Sequence, residues 1–205
     1  MSELLNNHFN HRKFYQESID KYSPDHIKAL HWNSKTSQEK RFFSIQRIGD
    51  LSGKTILDVG CGTGDLIPFL VKQNIVPAGY LGMDLMPEFI QVAKKRYPKI
   101  SFICQDFFQT KIKTNFDFVV CNGALNVREK DNMKTLYDFF LKALSESTTG
   151  VAITLLKECC HYIHDENLFY YEENKVEKFL QKNFKNHFQI YSDYADNDFS
   201  VFLYH

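Results

Sequence analysis

The glycine-rich segment ILDVGCGTGDL, from Ile56 to Leu66, constrains the fold more than any other part of the chain. Its first residues are mainly apolar and predict a buried strand, which stops where glycines allow the backbone to turn sharply. A strand followed by such a turn and a helix begins a nucleotide-binding βαβ unit. The segment therefore predicts an α/β fold with a ligand at the carboxyl end of the first strand.

The last position of this turn argues against a dinucleotide ligand. A dinucleotide-binding turn has glycine at its first, third and sixth positions, and the pyrophosphate lies at the helix N-terminus. Here Gly60 and Gly62 occupy the first two of these positions, but the sixth is Asp65. Its carboxylate is favoured by the helix dipole and repels a pyrophosphate. The turn therefore favours a ligand without phosphates, such as S-adenosylmethionine, whose cationic sulfonium and ammonium groups are attracted to carboxylates such as Asp58.

A second strand, YLGMD, ends in an acidic residue at the spacing that a nucleoside ligand requires. Asp84 lies 20 residues after Gly64, and a carboxylate at the end of the second strand accepts hydrogen bonds from ribose hydroxyls. Pro87 then predicts the start of a helix, because the first helical position tolerates a missing N–H group. Together these segments predict a complete βαβ unit.

The glycine turn resembles motif I of the class I S-adenosylmethionine-dependent methyltransferases, and the match by motif runs from Lys54 to Gly123. The resemblance implies a Rossmann-like α/β sheet of seven mostly parallel strands, with helices on both faces. It also implies a C-terminal antiparallel hairpin whose seventh strand lies between the fifth and the sixth. S-adenosylmethionine is then the cofactor and S-adenosylhomocysteine the product. The cofactor-binding residues that the motifs and their neighbours imply are Asp58, Gly60, Cys61, Gly62, Gly64, Asp84, Leu85, Met86, Asp106, Phe107, Asn122 and Gly123.

The third and fourth predicted strands end in polar residues at the same edge of the sheet. The segment SFICQD ends at Asp106, and in the resembled family this carboxylate holds the adenine amino group. The segment FDFVVCNG ends at Asn122 and Gly123, where the family contacts the methionine part and faces the substrate. For the aspartates an alternative remains, since strand-terminal Asp residues often only cap a following helix or turn. Asp58, in particular, is also consistent with a role in shaping the glycine turn without touching the ligand.

Length and composition predict one structural domain with a full-sized core, because the chain has 205 residues of which 43% are hydrophobic. Residues 51–205 are assigned to the methyltransferase domain and residues 1–50 to a helical N-terminal extension. Within that extension, residues 36–48 predict an amphipathic helix with Phe42, Phe43 and Ile45 on its apolar side. We expect Tyr22 and Trp32 to form a lid that excludes water from the sulfonium; the alternative is ordinary packing of helices on the sheet.

Candidate residues for the acceptor side lie in three segments. His161 and His164 follow the fifth predicted strand and suit a general base, because imidazole titrates near neutrality. Asn122 and Asn126 are predicted to orient the acceptor, the alternative being that they cap a helix starting near Glu129. If the acceptor is a carboxylate it needs no base, and two arginines become candidates for a bidentate clamp unless they are ordinary solvated side chains. These arginines are Arg41 and Arg128.

Charge and apolar patterning disfavour nucleic acid, a membrane and a metal as partners. The net charge is zero and the pI near 7.1, so the chain lacks the basic balance of a nucleic-acid-binding protein. No stretch approaches the roughly 18 apolar residues of a membrane span, and the polar start has no signal-peptide pattern, so we expect a cytoplasmic location without membrane contact. The segment CCHYIH, from Cys159 to His164, has a poor chelating geometry for zinc. The five cysteines are therefore interpreted as reduced thiols, and no metal is expected.

The sequence thus predicts a methyltransferase that transfers a methyl group from S-adenosylmethionine to an oxygen or nitrogen of a small molecule. A protein side chain or RNA is an alternative acceptor, and a non-catalytic module that only binds the cofactor is the alternative from a different class. A nicotinamide-dependent oxidoreductase is disfavoured by Asp65. The composition does not determine the oligomeric state.

Overall fold

The computed structural model describes residues 2–159, 161, 164–185 and 187–205, with side chains from residue 11 onward. Within these residues seven strands form a single sheet flanked by six α-helices. The strands are β1 (Thr55–Val59), β2 (Gly79–Asp84), β3 (Ser101–Cys104), β4 (Phe116–Asn122), β5 (Ser147–Leu156), β6 (Phe188–Tyr191) and β7 (Asp198–Tyr204). The helices are α1 (Ser2–Tyr22), α2 (Lys35–Ile45), α3 (Leu66–Lys72), α4 (Pro87–Arg96), α5 (Asn132–Glu146) and α6 (Glu173–Phe184).

The sheet has the order β3-β2-β1-β4-β5-β7-β6. The pairs among β1 to β5 are parallel, whereas β7 runs antiparallel to both β5 and β6. The prediction of a mostly parallel Rossmann-like sheet with the seventh strand between the fifth and sixth is therefore confirmed. The order in which the strands are added reverses between β1 and β4, and this boundary is the topological switch point where such sheets bind ligands.

Alternate residues of the central strands face opposite helical layers. In β4, Val119 and Cys121 belong to the core beneath α5 and α6, whereas Phe118 and Val120 pack with residues of α2 and α3 on the other face. These four side chains are almost completely buried. Since successive side chains of a strand alternate between faces, a continuous apolar run is the pattern of a strand covered on both sides.

The N-terminal 50 residues are helical in large part, as predicted. Ile19 of α1 packs with Ala29, Met86 and Phe89, so this helix lies against the short 3₁₀ turn at Ile27–Leu30 and the beginning of α4. No helix among the described residues is both long enough and apolar enough to cross a membrane.

Several predicted boundaries and faces need correction. The third strand ends at Cys104, so Asp106 lies two residues beyond it, and α5 begins at Asn132 rather than near Glu129. The helix predicted over 36–48 ends as an α-helix at Ile45 and continues as a 3₁₀ turn. On that helix Phe43 is 44% exposed while Arg41 is buried, which reverses the expected order of an apolar and a charged side chain.

Candidate active site

A cavity of about 420 Å³ lies at the carboxyl edge of the parallel strands. Its volume falls within the roughly 300–1,000 Å³ of small-molecule sites. Most of the residues selected from the sequence line it, namely Trp32, Arg41, Asp58, Gly60, Cys61, Gly62, Asp84, Leu85, Met86, Asp106, Phe107, Asn122, Gly123 and Asn126. The selected residues that do not line it are Tyr22, Gly64, Arg128, His161 and His164.

The turn after β1 depends on glycine for two different reasons. Gly60 has φ +72°, and a Cβ there would lie 2.4 Å from the Cβ of Ala124, in the loop that follows β4. Gly64 has φ +80°, and a Cβ there would lie 2.8 Å from the Phe102 ring. Gly60 thus permits close approach of two loops at the cavity, whereas Gly64 permits packing against β3 and lies outside the cavity lining.

Asp84 joins the ends of β1 and β2. Its Oδ2 accepts a hydrogen bond from the Gly62 N–H at 2.8 Å, and its Oδ1 accepts one from the Met86 N–H at 2.9 Å. Burial raises the pKa of this carboxyl above its ordinary value, and the two backbone bonds oppose that shift. Each carboxylate oxygen retains a further lone-pair site. The carboxylate therefore shapes the glycine turn and still has capacity to accept hydrogen bonds from a ligand in the cavity.

Asp58 is 3% exposed and accepts a hydrogen bond from the Tyr80 hydroxyl at 2.5 Å. Burial raises the pKa of this carboxyl to about 7. The Tyr80 bond opposes the shift, and the nearby charge of Asp84 adds to it. A cation in the cavity is therefore attracted to a group that ionises near neutral pH.

Asp106 lies two residues after β3 and is followed by the buried Phe107, and both residues line the cavity. Its Oδ1 accepts a hydrogen bond from the Phe108 N–H at 2.9 Å, which is the local turn bond expected of an Asp after a strand. Asp58, Asp84 and Asp106 thus place three carboxyl groups along one side of the cavity.

Asn122 and Asn126 connect the loop after β4 to β5. Asn122 Oδ1 accepts a hydrogen bond from the Thr154 hydroxyl at 2.7 Å, and Asn126 Oδ1 accepts one from the Leu156 N–H at 3.0 Å. The alternative that they cap the next helix is wrong, because Asp131 caps α5 by accepting from the Lys134 N–H. Both asparagines are buried and both line the cavity.

On the opposite side of the cavity, Arg41 forms a buried ion pair with Asp198. The sequence indicated Arg41 as a site residue but did not indicate its partner. Arg41 Nη2 donates to Asp198 Oδ1 at 2.5 Å, and both side chains are less than a tenth exposed. The Arg41 guanidinium carbon lies 4.5 Å from the centre of the Trp32 ring, a cation–π contact. Trp32 in turn lies close to Gly123, where a Cβ would be 3.3 Å from the edge of the indole. Asp198 was missed because no local pattern marks the first residue of β7.

Four side chains selected for the acceptor side lie elsewhere. Arg128 is exposed and donates to the backbone oxygens of residues 166 and 168, each at 2.8 Å. Tyr22 stacks on His26 outside the cavity. His161 and His164 are exposed and absent from the cavity lining. His164 instead stacks on Tyr170, with ring centres 3.9 Å apart.

Helix α1 adds cavity residues that the sequence did not single out. His11, Phe14 and Tyr15 all line the cavity, and His11 Nε2 lies 2.7 Å from Glu129 Oε1. Tyr15 packs edge-to-face on Phe89, and burial raises its pKa well above the ordinary value. The sequence does not predict these residues as part of the site, because a helix without a motif gives no indication of which of its faces packs on the sheet.

Comparisons with known proteins agree with this geometry. The model of the methyltransferase domain family matches residues 56–147, which contain the glycine turn, Asp84, Asp106 and the end of β4. Over these residues the chain is similar to the methyltransferase domain family. Demethylmenaquinone methyltransferase of Chlorobaculum parvum is 49% identical over 78 residues, covering 38% of this chain and 31% of the relative. The corresponding enzyme of Lactococcus lactis is 27% identical over 128 residues, covering 62% and 41%. The chain thus spans less than half the length of these curated relatives.

Solved structures resemble the whole chain in fold. A methyltransferase of Aquifex aeolicus is 21% identical, with a TM-score of 0.61, and the match covers 89% of this chain and 98% of that protein. Phosphoethanolamine N-methyltransferase 1 of Haemonchus contortus, solved with phosphoethanolamine and S-adenosylhomocysteine, is 14% identical with a TM-score of 0.69. That match covers 97% of this chain and 49% of the larger protein. At these identities the likeness shows the fold of the class I methyltransferase domain.

The cofactor of the class I domain, S-adenosylmethionine, fits the residues present. The cavity provides the carboxyl groups of Asp58, Asp84 and Asp106, which are able to accept hydrogen bonds from ammonium, hydroxyl and amino groups, and a turn whose glycine backbone allows close approach. The described residues include no group of three or more His, Cys, Asp and Glu side chains able to hold a metal. Cys160, part of the CCHYIH segment, lies outside the described residues.

Proposed function

We propose that this protein transfers a methyl group from S-adenosylmethionine to an oxygen or nitrogen of a small-molecule acceptor. The observation that carries the proposal is the row of carboxyl groups on Asp58, Asp84 and Asp106 around one cavity, beside the glycine turn. Methyltransferases named for demethylmenaquinone, ubiquinone biosynthesis and malonyl-[acyl-carrier protein] among the relatives support a small or carrier-bound acceptor.

Each part of the cofactor has a proposed partner in this site. Asp84 accepts hydrogen bonds from the ribose hydroxyls, and Asp106 accepts one from the adenine amino group beside Phe107. Asp58 attracts the ammonium group of the methionine part. Asn122 and Gly123 lie at the end of β4 next to the switch point, so they face the sulfur end.

The contribution of the protein to the reaction is mainly positional. When bound, the cofactor supplies a methyl group already activated by the positive sulfur. The chain must hold the acceptor atom in line with that methyl group at roughly 3–3.5 Å, and exclude water. We propose that Asn122 and Asn126 orient the acceptor, since both are buried and fixed by bonds to β5. His161 and His164 are not part of this proposal because their exposed side chains do not reach the cavity.

We assign residues 1–50 the role of a cover over residues 51–205. Three side chains of α1 and the half-buried Trp32 line the cavity that the sheet edge opens. A cavity lined from both sides restricts entry to molecules of modest size, which favours a small acceptor over a folded protein or an RNA duplex. The side chain of Tyr22 does not contribute, since it lies outside the lining.

Turnover tests the proposal directly. The protein is incubated with S-adenosylmethionine and fractionated small-molecule extracts, and S-adenosylhomocysteine formation is measured together with products heavier by one methyl group. The Asp84→Ala variant serves as the control for contaminating activity. With the cofactor below its dissociation constant, we expect product formation by the parent protein and at least about fivefold less by the variant. Cofactor binding without turnover in any fraction, including protein and RNA fractions, would instead indicate a module that binds the cofactor without catalysis.

A further inference from the structure

Arg41 and Lys157 are the lysine and arginine side chains that line the cavity, and both lie in one half of it, although the acidic Glu129 and Asp165 line the cavity as well. The carboxyl groups of Asp58, Asp84 and Asp106 lie where β1, β2 and β3 end, which is the side proposed for the cofactor. On the other side, Lys157 follows β5 directly, and Arg41 reaches the beginning of β7. Since β5 and β7 are neighbours, both cationic side chains belong to the half of the cavity that remains for the acceptor.

Arg41 has donor capacity that the protein does not use. Arg41 as a whole is 6% exposed, and its Nε is buried without a hydrogen-bond partner. One of its terminal nitrogens is bonded to Asp198, and its flat face lies against Trp32. A buried N–H group without a partner is uncommon in a folded protein, because leaving it unsatisfied costs the full desolvation of that group. Arg41 also lines the cavity, so the part of its guanidinium that is exposed there can donate to an acceptor oxygen, whereas the Nε group itself is enclosed by protein.

Other cationic groups near the cavity are already occupied. The side chain of Arg128 donates to two backbone oxygens and lies outside the lining. Lys157 Nζ lies 2.5 Å from Glu173 Oε2. Arg41 is paired as well, but its guanidinium has five N–H donors and the Lys157 ammonium has three, so Arg41 keeps more donors for an anionic group.

We propose that the acceptor carries a carboxylate, which binds to Arg41 beside the Trp32 ring while the methyl-accepting atom faces Asn122. This inference rests on the proposed function and specifies the acceptor class. The planar guanidinium suits a planar carboxylate, since its donors lie in one fixed plane. A single negative charge also matches the site better than a phosphate dianion does, because Asp198 already neutralises much of the Arg41 charge and Asp58 lies in the same cavity.

Trp32 provides a specific signal for this binding step. It is the only tryptophan of the sequence, so tryptophan fluorescence reports the environment of this ring alone. We would titrate the protein with benzoate, with its neutral isostere benzamide, and with inorganic phosphate, each with and without saturating S-adenosylhomocysteine. We expect a saturable fluorescence change with benzoate and a dissociation constant at least about tenfold larger for benzamide. Phosphate should bind more weakly than benzoate.

Paired variants assign the effect to Arg41. Because removing Arg41 alone leaves Asp198 buried and uncompensated, the test uses the double variant Arg41→Gln/Asp198→Asn, which should lose the preference for benzoate over benzamide. Asp198→Asn alone should strengthen benzoate binding, since it frees the guanidinium from its internal partner. The matched control is Arg47→Gln. Arg47 also pairs with an aspartate and stacks on an aromatic ring, Asp193 and Tyr191, but outside the cavity, so this variant should bind benzoate as the parent does.

The outcomes separate this inference from the proposed function. Calorimetry with S-adenosylhomocysteine measures cofactor binding independently, and its failure would count against the proposed function while leaving the benzoate titration interpretable. Equal binding of benzoate and benzamide would overturn the carboxylate site. So would an unchanged preference in the double variant, or tighter binding of phosphate than of benzoate.

Discussion

The two halves of the cavity are built in different ways. On the cofactor side, Asp84 bonds to backbone N–H groups of Gly62 and Met86, which are close to it in the βαβ unit. On the acceptor side, Arg41 and Asp198 are 157 residues apart and meet through side chains alone. Substitution of Asp84 should therefore alter mainly cofactor affinity, whereas substitution of Arg41 or Asp198 should alter stability and acceptor choice together.

The largest effect is expected from breaking the ion pair on the acceptor side. Arg41→Ala leaves the buried Asp198 carboxylate without its cation, which should lower the free energy of unfolding by about 3–5 kcal/mol. Arg47→Ala removes a comparable pair on the surface, where Asp193 is 66% exposed, and should cost about 0–1 kcal/mol. Urea unfolding of both variants measures the difference. Equal losses of unfolding free energy would show that burial of the Arg41–Asp198 pair does not increase its contribution to stability.

The next effect concerns the close approach of the glycine turn to the loop after β4. Gly60→Val introduces both an unfavourable positive φ and a clash with Ala124, and should lower the free energy of unfolding by about 2–4 kcal/mol. Gly53→Val is the control, since Gly53 has φ +67° with no atom within 4 Å of its added Cβ. It should cost only the backbone strain, about 1–2 kcal/mol. If both variants lose the same amount in thermal unfolding, the clash at Gly60 is absent.

Asp84→Ala tests the cofactor side of the comparison. The variant loses acceptors for the ribose hydroxyls and should weaken S-adenosylhomocysteine binding by about 1–3 kcal/mol, the scale of hydrogen bonds to a charged group. Calorimetry measures the affinity, and circular dichroism checks that the variant is folded. Asp117→Ala provides a control, because Asp117 also bonds a backbone N–H group, that of Thr55, yet lies outside the cavity. Undiminished affinity of a folded Asp84→Ala protein would remove this residue from the ribose site.

A pH effect should follow from Asp58. Its pKa is raised to about 7 in the folded protein, so below that pH the carboxyl is protonated and holds a cation poorly. Affinity for S-adenosylmethionine should therefore rise by about 1 kcal/mol as the pH increases from 6 to 8, with proton release on binding. Because the pKa of Asp58 is higher in the folded protein than in the unfolded chain, the protonated carboxyl favours the folded state. This contribution to the free energy of unfolding is lost as the pH rises through about 7. Asp58→Asn should show a flat affinity profile, and a slope like that of the parent would exclude Asp58.

The smallest effect is expected at the exposed histidines. His161→Ala and His164→Ala should each change the free energy of the transition state by less than about 0.5 kcal/mol, because neither side chain lines the cavity. Initial rates of S-adenosylhomocysteine formation measure this. A much larger loss of turnover with unchanged cofactor affinity would restore the prediction that one of them is the general base.

The sequence predicted the cofactor half better than the acceptor half for a physical reason. A strand, a glycine turn and an aspartate 20 residues later are local features, and parallel strands bring their carboxyl ends to one edge. The buried face of a helix is harder to predict when apolar and cationic residues are neighbours in the sequence. Phe43 was therefore predicted to be buried, whereas in the structure Phe43 is exposed and Arg41 is buried. The partner that makes burial of Arg41 possible is far away in the chain. The loop after β5 likewise carries no pattern that fixes where its histidines point.

The most direct test of the proposed cofactor site is a calorimetric titration of the purified protein with S-adenosylmethionine, S-adenosylhomocysteine and NADH. The carboxyl groups of Asp58 and Asp84, which line the cavity, should favour the first two ligands and repel the pyrophosphate of the third. We expect one molecule of S-adenosylmethionine or S-adenosylhomocysteine bound per chain, and no binding of NADH. Absence of binding by both adenosyl ligands, or binding of NADH alone, would contradict the assignment of this cavity.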